Sequence, residues 1–112
     1  MDYVDAGHGL ARVVRADGRL EALRSPDRPI GILPEDTWTP QTLVLEPGDT
    51  LLIASDGILD RVQPGDTADE ELIAIVRTAA SSQAVVDHYL AAAVTSGYGR
   101  DDTTQLVIRR VV

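Results

Sequence analysis

Two acidic turns are the residues of this sequence best placed to do chemistry. Ser55-Asp56-Gly57 closes the apolar run Thr50-Leu51-Leu52-Ile53-Ala54, and Arg100-Asp101-Asp102 opens a run rich in β-branched residues over 103–112. If the two runs are antiparallel neighbours in a sheet, the end of the first lies beside the start of the second. Asp56 and Asp101 then converge despite the long segment between them. Gly57 lets the backbone turn away sharply and leaves the carboxylate at the mouth of the strand. Converging carboxylates in a chain without cysteine and with two histidines describe a site for a hard divalent cation, Mg²⁺ or Mn²⁺. Asp-Gly and Asp-Asp are also ordinary turn residues. Each motif alone reads more simply as a turn, and only their pairing at the ends of two apolar strands brings the cation site level with that reading.

Other candidate residues carry less. His8, between Gly7 and Gly9, either orients a group near the acidic turns or bonds a loop carbonyl. His88 lies among Val86, Tyr89 and Leu90 on an amphipathic pattern and reads as a residue of the helix boundary or of the solvent-facing side. Arg100 could meet a phosphate bidentately or pair with Asp101 or Asp102. Trp38 could anchor a partner or cover one end of a small core. Ser55 has no base near it in sequence and reads as a turn residue. Asp66, Asp69, Glu70 and Glu71 suit the positive end of a helix.

The elements that must hold the acidic turns follow from patterning. Residues 2–5 and 11–15 read as strands, and Asp17-Gly18 marks a hairpin into 19–23. Residues 24–40 hold Pro26, Pro29, Pro34 and Pro40 and read as a surface loop, its apolar run Pro29-Ile30-Gly31-Ile32-Leu33-Pro34 pinned to a core. Thr42-Leu43-Val44-Leu45 reads as a strand and Glu46-Pro47-Gly48-Asp49 as a turn. The run 50–55 barely alternates, which predicts a central strand covered on both faces. Thr67-Ala68-Asp69-Glu70 matches a capping box, followed by Leu72, Ile75, Val76 and Ala79 at helical spacing. A second stripe, Val86, Tyr89, Leu90, Ala93 and Val94, follows Ser81-Ser82 and ends at Gly97 and Gly99. Strands, two helices and a last strand predict an α+β fold, an antiparallel sheet with both helices on one face.

Composition excludes several classes. At 112 residues, 44% hydrophobic and 25% charged, residues 1–112 are expected to form a single globular domain. Eighteen acidic residues against ten basic ones, all arginine, give a net charge of −8. That field repels nucleic acid, and no basic run offers a local exception. No apolar run approaches the ~18 residues of a membrane span, and no basic-then-apolar leader opens the chain. Without cysteine there is no disulfide framework, thiolate metal site or thiol nucleophile. The cytoplasm is the expected location.

The ordered set Asp5-Ala6-Gly7-His8, the 29–34 run, Leu45-Glu46-Pro47-Gly48-Asp49-Thr50-Leu51-Leu52-Ile53-Ala54-Ser55-Asp56-Gly57-Ile58 and Arg100-Asp101-Asp102-Thr103-Thr104 resembles the C-terminal half of bacterial metal-dependent protein phosphatases. This is the protein phosphatase 2C-like group that includes the sporulation stage II E and sigma-B regulator phosphatases. The resemblance implies a β-sandwich flanked by helices with a two-metal cluster at one end. A metal-bridging water there attacks phosphoserine or phosphothreonine. It implies Asp56 and Asp101 as metal ligands, Gly57 as the residue shaping the turn, and Asp102 as a neighbour behind the ligands. The implied partner is a phosphorylated signalling protein, often an anti-sigma-factor antagonist.

Such domains are about twice as long, and their other half supplies an Asp-x-x-Gly-His-Gly turn that bridges the metals. Gly7-His8-Gly9 imitates that turn but sits in the context of a later Ala-Gly-His motif. The chain is therefore expected to be part of such a domain. Two aspartates supply few of the about six oxygens these cations take, so the chain alone is expected to show little or no phosphatase activity. Half a sandwich also leaves an apolar face and open strand edges, which predicts a homodimer. The competing expectation is a non-catalytic regulatory or protein-interaction module that keeps a phosphatase-like fold.

Overall fold

The computed structural model describes residues 1–6, 11–23, 27–54, 66–95 and 104–112. The order is β1 (Asp2–Tyr3), β2 (Ala11–Val14), β3 (Leu20–Leu23), β4 (Gln41–Thr42), β5 (Thr50–Ala54), α1 (Asp66–Thr78), α2 (Ser82–Thr95) and β6 (Gln105–Arg109). Four strands form one antiparallel sheet in the order β3-β2-β5-β6, and β1 pairs with β4 in a separate two-stranded ribbon. The α+β expectation holds, with both helices on one face of the larger sheet.

Strand alternation sorts the core into two layers. Val14 of β2 and Leu52 of β5 point toward the helices and pack with Leu72, Val76, Val85 and Tyr89. Val13 and Leu51 point the other way and pack with Ala11, Leu23 and Leu43, with Tyr3, Leu45 and Ile53 at the margin. The near-continuous apolar run of β5 has this cause, since both its faces are covered. Val13, Leu52 and Val85 are fully buried, each such side chain contributing about 2 kcal/mol.

Leu72 and Val76, then Val85 and Tyr89, form pairs four residues apart that press each helix on the sheet. The second stripe is turned from the one expected: Val85 carries the contact and Leu90 is 59% exposed, because Tyr89 takes the inward position and its neighbour must point away. His88 is exposed, as expected. Ser81 Oγ accepts from the Ala84 amide at 3.1 Å, capping the start of α2. Thr67 lies inside α1, which begins at Asp66, so it does not stand ahead of the helix as a capping box requires.

The 29–34 run departs from expectation altogether. Ile30, Ile32 and Leu33 are 78%, 60% and 47% exposed, so the run is not pinned to a core. Its loop is tied by polar contacts of its own. Trp38 Nε1 donates to the Arg28 carbonyl, the Thr39 amide donates to Asp27, and Arg28 pairs with Asp36. A loop braced internally needs no apolar anchor, and Trp38 serves as the brace.

Candidate functional site

The two ends of the four-stranded sheet are built differently. Register places Ala11 opposite both Leu23 and Ile53, and Ala54 opposite Gln105. One end of the sheet is thus formed by the start of β2, the end of β3, the end of β5 and the start of β6. The stretches 7–10, 24–26, 55–65 and 96–103 are covalently continuous with those strand ends. β5 and β6 are antiparallel neighbours across five paired positions, from Thr50↔Arg109 to Ala54↔Gln105, which is the strand pairing on which the expected convergence of the acidic turns depends. Asp56 follows Ala54 by two positions and Asp101 precedes Gln105 by four. Asp56, Gly57, Asp101, Asp102 and His8 themselves lie outside the described residues, as do Ser55 and Arg100. Asp5, just ahead of the Gly7-His8 pair, is 3% exposed. Among the described residues no group of three or more acidic or histidine side chains could hold a metal ion.

At the opposite end the sequence showed only a turn, and the structure shows a buried carboxylate. Asp49 is 2% exposed. Its Oδ2 accepts from Arg15 Nη1 at 2.7 Å and from the Glu46 amide at 2.9 Å, and its Oδ1 accepts from the Ala16 amide at 2.8 Å. Arg15 also donates to the Val44 carbonyl at 2.7 Å and to Glu21 Oε2 at 2.8 Å. Burial alone would raise the Asp49 pKa, but the Arg15 guanidinium and the two amides outweigh it and hold it below the ordinary carboxylate value. Hydrogen bonding to Arg15 lowers the Glu21 pKa, and hydrogen bonding to Glu21 and Asp49 raises that of Arg15. Gly48, at φ 90°, makes the turn that delivers Asp49 to this position.

Arg109 completes this end. It donates to Thr50 Oγ1, to the Ala79 carbonyl and to the Val76 carbonyl. It thereby satisfies carbonyls at the C-terminus of α1 that the helix leaves orphaned and ties that helix to the sheet. Arg110 Nη1 donates to the Leu45 carbonyl at 2.7 Å. The sequence reading missed Asp49, Arg15 and Arg109 as a group. The available signal was an aspartate immediately before a continuously apolar strand, where a charge must find donors or stay out. With both Asp49 oxygens held by protein donors, this end has a structural role.

Several comparisons with known proteins bear on the other end. A family model, stage II sporulation protein E (SpoIIE), matches residues 1–111. Protein IcfG of Synechocystis sp. is 30% identical over 64 residues, 57% of this chain and 10% of that protein. The phosphatase domain of the cell fate determinant SpoIIE from Bacillus subtilis superposes with a TM-score of 0.66 at 20% identity, over 99% of this chain and 52% of that one. PppA, a key regulatory component of T6SS in Pseudomonas aeruginosa, superposes with a TM-score of 0.71 at 25% identity, over 96% of this chain and 51% of that one. The chain thus spans about half the length of these solved structures and a tenth of the curated relative.

Proposed function

The chain belongs to the SpoIIE family of protein phosphatase 2C-like phosphatases and has the fold of part of such a domain; from that premise we propose that residues 1–112 act as the C-terminal half of a metal-dependent serine/threonine protein phosphatase domain. The observation that carries this reading is the β5–β6 register. It joins Ala54 to Gln105 at the sheet end that also begins β2, so the stretches bearing Asp56, Asp101 and His8 attach to one place. Two carboxylates from adjacent strand termini offer hard oxygen donors, which fits Mg²⁺ or Mn²⁺. Bound there, such ions supply Lewis acidity toward a phosphoryl group and lower the pKa of water.

The residues of this chain have distinct parts in that reading. Asp56 and Asp101 hold the cations, and Gly57 turns the chain away so that the Asp56 carboxylate stays accessible. Asp102 and His8 orient the ligands through hydrogen bonds. Two aspartates leave most of about six coordination positions to water, so the chain by itself binds cations weakly and turns over little. The substrate class is a phosphoserine or phosphothreonine protein of a signalling pathway, an anti-sigma-factor antagonist by family type, met in the cytoplasm. The described residues contain no helix long and apolar enough to cross a membrane. A homodimer belongs to the same reading.

The test is Mn²⁺ titration of the chain followed by electron paramagnetic resonance. Binding is expected at roughly 0.1–1 mM, as for open, water-rich sites, and is expected to vanish in Asp56→Asn and in Asp101→Asn. Unchanged Mn²⁺ binding in both variants removes the ligand assignment, and rapid Mn²⁺-dependent hydrolysis of a phosphopeptide by residues 1–112 removes the expected inactivity.

A further inference from the structure

The helix-side face of β6 carries a polar residue at each end. Strand alternation puts Gln105, Val107 and Arg109 on that face, where Val107 packs against the first core layer and α2 crosses the strand. At the end away from the acidic turns, Arg109 donates to the Thr50 hydroxyl and to the Ala79 and Val76 carbonyls. At the other end Gln105 lies opposite Ala54, the last paired position of β5. Its amide nitrogen Nε2 is buried and has no acceptor among the described residues. A buried amide donor left without an acceptor costs stability, a cost that an apolar residue at this position would avoid. The atom is enclosed by this chain, so an acceptor from another molecule or a further domain does not reach it. The acceptor comes from the chain's own stretches at this end of the sheet.

We propose that Gln105 is a positioning residue for Asp56: its Nε2 donates to one carboxylate oxygen when a cation is held, which leaves the other oxygen to the ion. The inference rests on the assignment of Asp56 as a ligand. Register selects Asp56 among the acids of this end. Counted on from the Ala54–Gln105 pair, position 56 is the diagonal neighbour of Gln105, two steps along the facing strand. Such neighbours are about 7–8 Å apart, a span that a long side chain bridges. The two-residue step also keeps position 56 on the face of Ala54 and Gln105. Asp102 precedes Gln105 by three positions, which puts it on the opposite face by the same alternation. Asp101 precedes it by four, about 13 Å of extended chain. Ala54 is small and offers no side-chain acceptor of its own. A neutral amide suits the task, since it fixes the rotation of the carboxylate without cancelling the charge that attracts the cation.

The test compares the wild-type chain with Gln105→Met, which keeps the length of the side chain and removes the donor. Mn²⁺ affinity read by electron paramagnetic resonance is expected to fall about tenfold. The urea midpoint is expected to stay level or rise, because an orphaned donor has left the interior. A purely structural hydrogen bond gives the reverse, a lower midpoint with Mn²⁺ affinity unchanged. Unchanged affinity overturns the proposal whatever the midpoint does. A second measurement needs no change at Gln105. The side-chain amide resonances of Gln105 in the wild-type chain are expected to shift on addition of Mg²⁺ and to stay fixed in Asp56→Asn. Resonances that ignore Mg²⁺ in the wild type, or respond equally in Asp56→Asn, overturn the proposal. If Mn²⁺ binding is lost in Asp56→Asn but intact in Gln105→Met, the ligand assignment survives and the role of Gln105 falls. If wild type and Asp56→Asn bind Mn²⁺ alike, both fall.

Discussion

The two ends of the four-stranded sheet differ in charge: one buries an aspartate among protein donors, and the other carries no charged side chain at its described terminal positions. At the end formed by Thr50 and Arg109, Asp49 is buried and accepts from Arg15 and two backbone amides, while Arg109 and Arg110 serve carbonyls. At the end formed by Ala11, Leu23, Ala54 and Gln105, the described terminal positions carry no charged side chain. Arg12 sits one row inside and donates to the Ala11 carbonyl. In the proposed reading, the acidic groups of that end come from the adjoining stretches. An aspartate whose two oxygens already accept from an arginine and two amides is committed to protein donors, and those bonds hold the strands together. The surroundings of the carboxylate, more than the residue type, separate a structural acid from a ligand.

The sharpest way to break this contrast is Asp49→Ala. It leaves the Arg15 guanidinium and two amides without their acceptor and is expected to cost about 3 kcal/mol, read as a lowered urea midpoint. Asp56→Ala, in contrast, is expected to change stability by less than about 0.5 kcal/mol while abolishing Mn²⁺ binding. If both variants lose stability equally, the distinction between the two ends fails.

A smaller and graded effect is expected in acid. The Asp49 and Glu21 pKa values are lowered in the folded chain. The stability they contribute is therefore fully present above the unfolded carboxylate values, near about pH 4, and is lost as pH falls through the lower folded values. Thermal melts between neutral pH and pH 3 should show this limb in the wild type and a shallower one in Asp49→Asn. An equally steep limb in the variant would place its origin elsewhere. The smallest effect belongs to Arg19→Ala. The Arg19–Asp17 pair spans 2.8 Å but is 70% and 58% exposed, so its loss is expected to leave the urea midpoint unchanged. A larger change would mean that the hairpin turn depends on it.

Much of the architecture was readable because it rests on local pattern. The Asp17-Gly18 hairpin, the unbroken apolar run of β5 and the leucine–valine spacing of α1 all follow from turn chemistry and periodicity. The readings that failed depended on neighbours distant in sequence. Whether Ile30 and Ile32 find a core depends on what lies above their loop, and which face of α2 turns inward depends on how Tyr89 fits against the sheet. The candidate ligands Asp56 and Asp101 were named from strand ends and motif order, and both lie outside the described residues.

By itself, then, the sequence determined the class of fold, the family and the pair of acidic turns, since these are written in composition, spacing and ordered motifs. Only the tertiary structure decided that Asp49 is a buried acceptor, that Arg109 closes the end of α1, and that Leu106 and Ile108 stay exposed on the last strand of the described sheet. Each of these depends on which backbone donors, carbonyls and strands are brought within a few ångströms of one another, and that proximity is set by packing between residues far apart along the chain.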